Sequence, residues 1–169
     1  GIGAQTVKAH ETVIAVSYLQ FDKSNGTDTP GEVETEKFRQ TSLDFSTGLT
    51  NRLMLTGSLP FVDKKMSSTA GASDSAHGLG DASLGLTYQL QPSEGSKMLT
   101  AFSADIKLPT GSNNAKDSTG AIKDQHIQLG TGSKDIVLGA SVTFETNTPG
   151  DLAFAGFKGR RNGSNDRKY

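Results

Sequence analysis

The stretch Phe38–Leu49, FRQTSLDFSTGL, decides the fold class. Its even positions read Gln40, Ser42, Asp44 and Ser46; its odd positions read Thr41, Leu43, Phe45, Thr47 and Leu49. Successive side chains of a strand point to opposite faces, so this segment has one polar face and one apolar face. In a soluble sandwich the apolar face would meet a second sheet. In an outer-membrane barrel it would meet lipid, and the polar face would line the lumen.

The same period of two recurs along the chain. It predicts about seven strands: Glu11–Phe21, Phe38–Leu49, Leu53–Val62, Asp81–Leu90, Met98–Leu108, Asp135–Phe144 (or starting nearer Ile127) and Asp151 to about Arg160. Between them lie a polar stretch Asp22–Glu36, a short link Thr50–Arg52, a polar loop Asp63–Leu79 and a Pro/Gly turn Gln91–Lys97. The longest loop, Pro109 to about His126, and a turn Glu145–Gly150 complete the series. The strands are about ten residues long, near the roughly 9–11 that cross a bilayer at a tilt. Long and short connections alternate, which is the habit of outer-membrane barrels; a sandwich has no reason to sort its loops to one end.

Composition agrees. Only 33% of the 169 residues are hydrophobic and the mean hydropathy is -0.42, meagre for a packed soluble core, where apolar usage is roughly 45–50% with Gly counted in. A transmembrane barrel tolerates this, because only one face of each strand must be apolar. No run approaches the roughly 20 apolar residues of a spanning helix. The chain has no Cys, which removes disulfides, zinc–thiolate sites and thiol nucleophiles. A net charge of -1, with no basic patch carrying interleaved aromatics, argues against nucleic acid as a partner.

One barrel domain over residues 1–169 is expected, incomplete at its C-terminus. The chain starts at Gly1 with no leader, which suggests a removed signal peptide or a fragment. Seven strands leave the two ends on opposite sides, whereas single-chain bacterial barrels have even strand numbers. An open sheet cannot sit in lipid with its edge amides unpaired, and the tail Arg160–Tyr169 does not alternate. The expectation is therefore the N-terminal part of a larger barrel, or a sheet that a partner chain or oligomer completes.

Four stretches carry a family resemblance: Gly78-Leu79-Gly80-Asp81 running into Leu84–Tyr88; Ile106-Lys107-Leu108-Pro109-Thr110-Gly111; Leu129-Gly130-Thr131-Gly132-Ser133-Lys134-Asp135; and Asp151–Gly156. Over about residues 36–160 the chain resembles the bacterial outer-membrane transporter family of the putative MetA pathway of phenol degradation. The resemblance implies an antiparallel up-and-down transmembrane barrel of roughly a dozen strands, in the outer membrane of a Gram-negative cell. It also implies a porin-like role in uptake of aromatic or other small apolar compounds, hydrocarbons included. The chain departs from the family in length, stopping where the family continues with more strands.

The candidate lumen-lining residues are Gln40, Ser42, Asp44, Ser46, Ser83, Thr87, Ser103, Asp105 and Lys107, since a charge pointing into lipid would cost roughly 2–4 kcal/mol. Asp105 and Lys107, two apart on one strand, share a face. Asp81 and Asp135 open two strands near the external rim, either as an acidic constriction or as turn caps. Phe21, Phe61, Tyr88, Phe144 and Phe154 fall near strand ends, where interfacial aromatics anchor a barrel; Phe45 and Phe102 would face acyl chains. His10, His77 and His126 have no metal-site spacing, no glycine-rich piece matches a nucleotide loop, and no nucleophile grouping stands out. No enzyme activity, metal or cofactor is expected. The partners expected are membrane lipid and a small-molecule solute.

Two other readings make the chain a soluble or secreted β-sandwich for binding or surface structure, or a barrel scaffold holding a partner protein. The membrane barrel predicts that Arg in place of Leu43 or Leu86 blocks membrane assembly while Arg in place of Ser42 is tolerated. Heat-dependent gel migration of each variant checks this.

Overall fold

The computed structural model describes residues 7–26, 31–71, 73–90, 97–117, 119–145 and 152–165. Residues 91–96 and 146–150 of the two expected turns, 27–30 of the first polar stretch and 166–169 of the tail lie outside the described residues.

All strands belong to one antiparallel sheet. They are β1 (Thr12–Gly26), β2 (Val33–Gly48), β3 (Leu53–Ser68), β4 (Ser73–Leu79), β5 (Ser83–Gln89), β6 (Met98–Lys107), β7 (Asp135–Glu145) and β8 (Leu152–Arg161). The order is β1-β2-β3-β5-β6-β7-β8, each strand beside its sequence neighbour, with β4 pairing β3 above β5. This is an up-and-down sheet curled into a half-barrel: Ala15 on one edge strand and Lys158 on the other line a single cavity of about 820 Å³. One sheet with no second layer is not a sandwich.

β4 and β5 are one strand interrupted by a bulge. Phe61 pairs with Leu79 and Ser58 pairs with Ser83, so Gly80, Asp81 and Ala82 stand opposite only Leu59 and Pro60. The extra residue inverts the alternation: Gly78 faces the concave side on β4, and odd positions such as Ser83 do so on β5. Pro60 has no N–H to give and sits where the ladder is already broken, its carbonyl accepting from the Gly80 N–H at 2.9 Å.

The upper strands run further than their alternation suggests. β1, β2 and β3 span 15, 16 and 16 residues, and the stretch expected as a polar loop, Asp63–Leu79, is the upper half of β3 paired with β4. Residues 22–26 and 33–36, expected in a connection, likewise continue β1 and β2.

Apolar side chains lie mostly outside. Leu43, Leu59, Leu84, Leu86, Phe102 and Leu138 are 42–59% exposed on the convex face, whereas the buried apolar residues among those described are Met54, Val62, Ala101 and Ile127. The convex apolar surface has a level upper edge. Tyr18, Thr41, Phe61 and Leu79 stand in register across four strands, and the next outward row is Gln20, Arg39, Asp63 and His77. Phe61, Tyr88 and Phe144 occupy this outer face, but Phe21 and Phe154 do not. Phe21 pairs with Phe38 on the concave side, rings stacked at 4.8 Å, and Phe154 pairs with the buried Thr143.

The bulge makes the phase of β5 depend on one residue. Deleting Ala82 is expected to turn Leu84 and Leu86 inward and abolish folding, whereas Ala82→Gly is expected to fold. Heat-modifiable migration and far-ultraviolet circular dichroism check the pair.

Candidate functional site

The connection from β6 to β7, residues 108–134, turns back onto the concave face instead of projecting away. Three glycine-rich segments meet there, from the bulge, from the start of this connection and from its end. Thr110 Oγ1 accepts from the Ala82 N–H at 2.7 Å and donates to the Gly80 carbonyl at 2.9 Å. The Asp81 carboxylate accepts from the Gly111 N–H at 3.0 Å, the Thr131 N–H at 2.8 Å and the Thr131 hydroxyl at 2.9 Å. Gly111 and Gly130 are in close approach: a Cβ on Gly130 would stand 2.4 Å from both the Gly111 carbonyl oxygen and Asp81 Oδ1. Larger residues there would force the strands of the knot apart.

A charge network lies beneath the knot. Lys107 Nζ is 2.8 Å from Asp135 and 3.4 Å from Asp81, and Arg160 pairs with Asp135 as well. Asp135 is 1% exposed and also accepts from the Ser133 hydroxyl at 2.9 Å and the Gly163 N–H at 3.1 Å. Two carboxylates and two cations cancel, so Asp81 and Asp135 meet through Lys107 and present no open acidic ring.

The middle of the connection is anchored to the upper β3–β4 hairpin. A 3-10 turn, Gln125–Ile127, is capped by the Asp124 carboxylate, which accepts from the His126 N–H, and it buries Ile127 completely. Lys64 Nζ donates to the carbonyls of His126 at 3.0 Å and Gln128 at 2.7 Å. Gln128, itself buried, accepts from the Ala115 N–H and donates to the carbonyls of Ala115 and Lys123. Lys123 pairs with Asp74 at 2.5 Å. Farther out, the Asp117 carboxyl is held below its ordinary range, first by the hydrogen bond from the Thr119 side chain.

Three cavities follow one another down the concave face. An outer one of about 320 Å³ lies between the connection and the upper strands and is lined by Glu36, Lys64, His126 and Leu129 among others. A recess of about 360 Å³ beneath it includes Phe38, Gln40, Pro60, Val62, Asp81, Lys107 and Leu129. The widest, of about 820 Å³, is walled by small hydroxyl side chains, by Asp44, Asp105 and Lys158, and by apolar side chains such as Met54 and Phe154.

The structure places Asp44, Ser46, Ser83, Thr87, Ser103 and Asp105 on that widest cavity, and Gln40, Asp81 and Lys107 on the recess. Asp44 accepts from the Ser17 hydroxyl at 2.8 Å. Lys107 turns to the aspartate network and makes no ion pair with Asp105 among the described residues. Ser42 is only 3% exposed and its hydroxyl accepts from Gln40 Nε2 at 2.9 Å. Arg at Ser42 would displace that contact, so Thr87 is the better concave-face comparator. Among the described residues no group of three His, Asp or Glu could hold a metal ion.

Sequence reasoning missed Lys64, Gln128, Leu129 and Arg160. Only the motif glycines hinted at the knot, because its contacts join segments 30 to 50 residues apart.

A family model described as "Putative MetA-pathway of phenol degradation" matches residues 3–166. No curated protein matches the chain.

Asp81→Ala removes the acceptor for three donors of the connection. It is expected to cost about 1–3 kcal/mol, the loss of hydrogen bonds to a charged acceptor, and to speed trypsin cleavage after Lys116 and Lys123. Urea unfolding and mass spectrometry of limited digests check it.

Proposed function

We propose a function from one premise: the chain belongs to the Putative MetA-pathway of phenol degradation family. In this reading its sheet is the wall of an outer-membrane channel for passive passage of small molecules, apolar and aromatic ones among them. The β6–β7 connection narrows that channel, and no catalytic step is involved.

The observation that carries the reading is the inverted distribution of side chains. A water-soluble sheet would bury its apolar face, and exposed apolar patches of this size mark a contact with lipid or protein. Here the apolar face is the convex, exposed one. On β3 it runs from Leu53 to Phe61, about 27 Å along the strand at roughly 3.4 Å per residue. With a strand tilt of about 40° that is about 20 Å of height, near the roughly 25 Å apolar band of an outer-membrane barrel. The polar row Gln20, Arg39, Asp63 and His77 then stands at the headgroups, and the longer upper strands project outside the cell.

The edges support a completed ring. Within the described residues β1 pairs only with β2, and β8 only with β7. In hydrocarbon each unpaired amide would cost several kcal/mol, so further strands, of this or another chain, pair with them.

Two measurements test the reading. The protein is expected in the outer-membrane fraction with heat-dependent migration, and in liposomes it is expected to pass small neutral solutes. Leu86→Arg, at about 2–4 kcal/mol for a basic residue in mid-bilayer, is expected to prevent assembly while the adjacent Thr87→Arg assembles. A soluble protein, or equal tolerance of both substitutions, would overturn it.

A further inference from the structure

The three cavities on the concave face form a chain of shared walls. The outer cavity and the recess have two lining residues in common, Lys64 and Leu129. The recess and the widest cavity share Ser58 and Ser83. A molecule moving down the concave face therefore meets the common wall of Lys64 and Leu129 first, then Ser58 and Ser83 at the head of the widest cavity.

The two gateposts differ in chemistry, and both are held in place. Lys64 is tied by its ammonium to the carbonyls of His126 and Gln128, so its head is fixed to the connection itself. Leu129 has a fixed backbone, its N–H donating to the Ser112 carbonyl at 3.0 Å, as does that of Gly130 at 2.9 Å. Its side chain is seated on Gly78, where a Cβ would come within 2.9 Å of Leu129 Cδ1 and where φ is +148°. The glycine leaves space for the leucine. With the Asp81 knot immediately after it, Leu129 cannot leave the passage unless the connection unfastens.

Resting on the channel reading above, we infer that Leu129 is the side chain that sets the size limit of the route, the recess beneath it being the selecting site. The recess sets Phe38, Pro60 and Val62 beside Leu129; Gln40, the Ser58 and Ser83 hydroxyls and three charged side chains already engaged with protein partners, Lys64, Asp81 and Lys107, make up its polar side. It suits a small solute that is apolar on one face and hydrogen-bonding at an edge. The hydroxyl wall below, with more than twice the volume, sets no comparable limit.

The test uses single-channel conductance of the full-length protein in planar lipid bilayers. Leu129→Ala is expected to raise conductance about 1.5-fold or more, as widening a constriction should. This chain has no cysteine, so Leu129→Cys places a single thiol within it. A methanethiosulfonate reagent is expected to cut its conductance to about half or less, while Leu138→Cys, on the convex face, is expected to be unaffected. Wild-type protein that conducts, with L129A conducting the same and labelled L129C unblocked, would overturn the assignment of Leu129 alone. Wild-type protein that assembles but passes no current would instead remove the channel reading, and this inference with it.

Discussion

A carboxylate with three protein donors fixed on it can do in a loop what a ladder does in a sheet. Asp81 occupies a β-bulge, the one point where the ladder between β3 and its neighbour is interrupted and a side chain can be aimed out of the regular alternation. From there it collects the Gly111 amide and both donors of Thr131. The long connection after β6 is thereby bound at both of its ends to the strand before β6. Remove that acceptor and the connection keeps Thr110 at its start and Lys64, Gln128 and Lys123 in its middle, but Thr131 near its end loses its tie to the bulge. Shape at the top of the concave face thus depends on one bulge, one aspartate and the glycines that let three backbones come together.

The sheet beneath obeys a different constraint. Its apolar side chains do not pack on a second layer, so its cohesion comes chiefly from backbone ladders and cross-strand neighbours. Burial occurs where the connection covers the upper concave face, around Val62, Ile127 and Gln128, and again low on that face at Met54, Ala101 and Thr143. Between these the concave face keeps mostly small side chains, together with Met54 and Phe154, and the largest open volume, about 820 Å³. Rigidity and openness are therefore separated along the axis: a fastened upper part over a wide lower one. That division is what makes a single residue, Leu129, decisive in the proposed route.

Much of this was legible in the sequence where one face of a strand is apolar and the other polar. The starts of β3 at Leu53 and β6 at Met98 coincide with the alternation read from sequence, and of the two starts open for β7 the structure takes Asp135, Ile127 closing a 3-10 turn instead. Legibility failed where both faces are wet. Residues 63–68 and Ser73–Leu79 form regular ladders, yet their side chains are polar on both sides, so no hydrophobic period marks them. Phe21 and Phe154 misled for a related reason: an aromatic near a strand end says nothing of the face it occupies, and register with Phe38 and Thr143 sends both inward. At the site, Asp81 and Asp135 stood out as strand openers. Their joining through Lys107, and the roles of Lys64 and Leu129, arise from long-range folding back that no local period encodes.

The span of the Asp81 contacts bears on how the molecule assembles. Asp81 and Thr131 are 50 residues apart in the chain, and between them lie β5, β6 and the whole connection. Closing so long a segment has an entropic cost that is met only after the intervening strands have zipped into register. The knot is then a late contact, and the concave face stays uncovered while the strands pair. Such an order suits a sheet whose strands must thread side by side, since a connection that docked early would sit in the path of β7. A slow final phase, confined to the connection and silent in the strand amides, is the kinetic signature of that sequence of events.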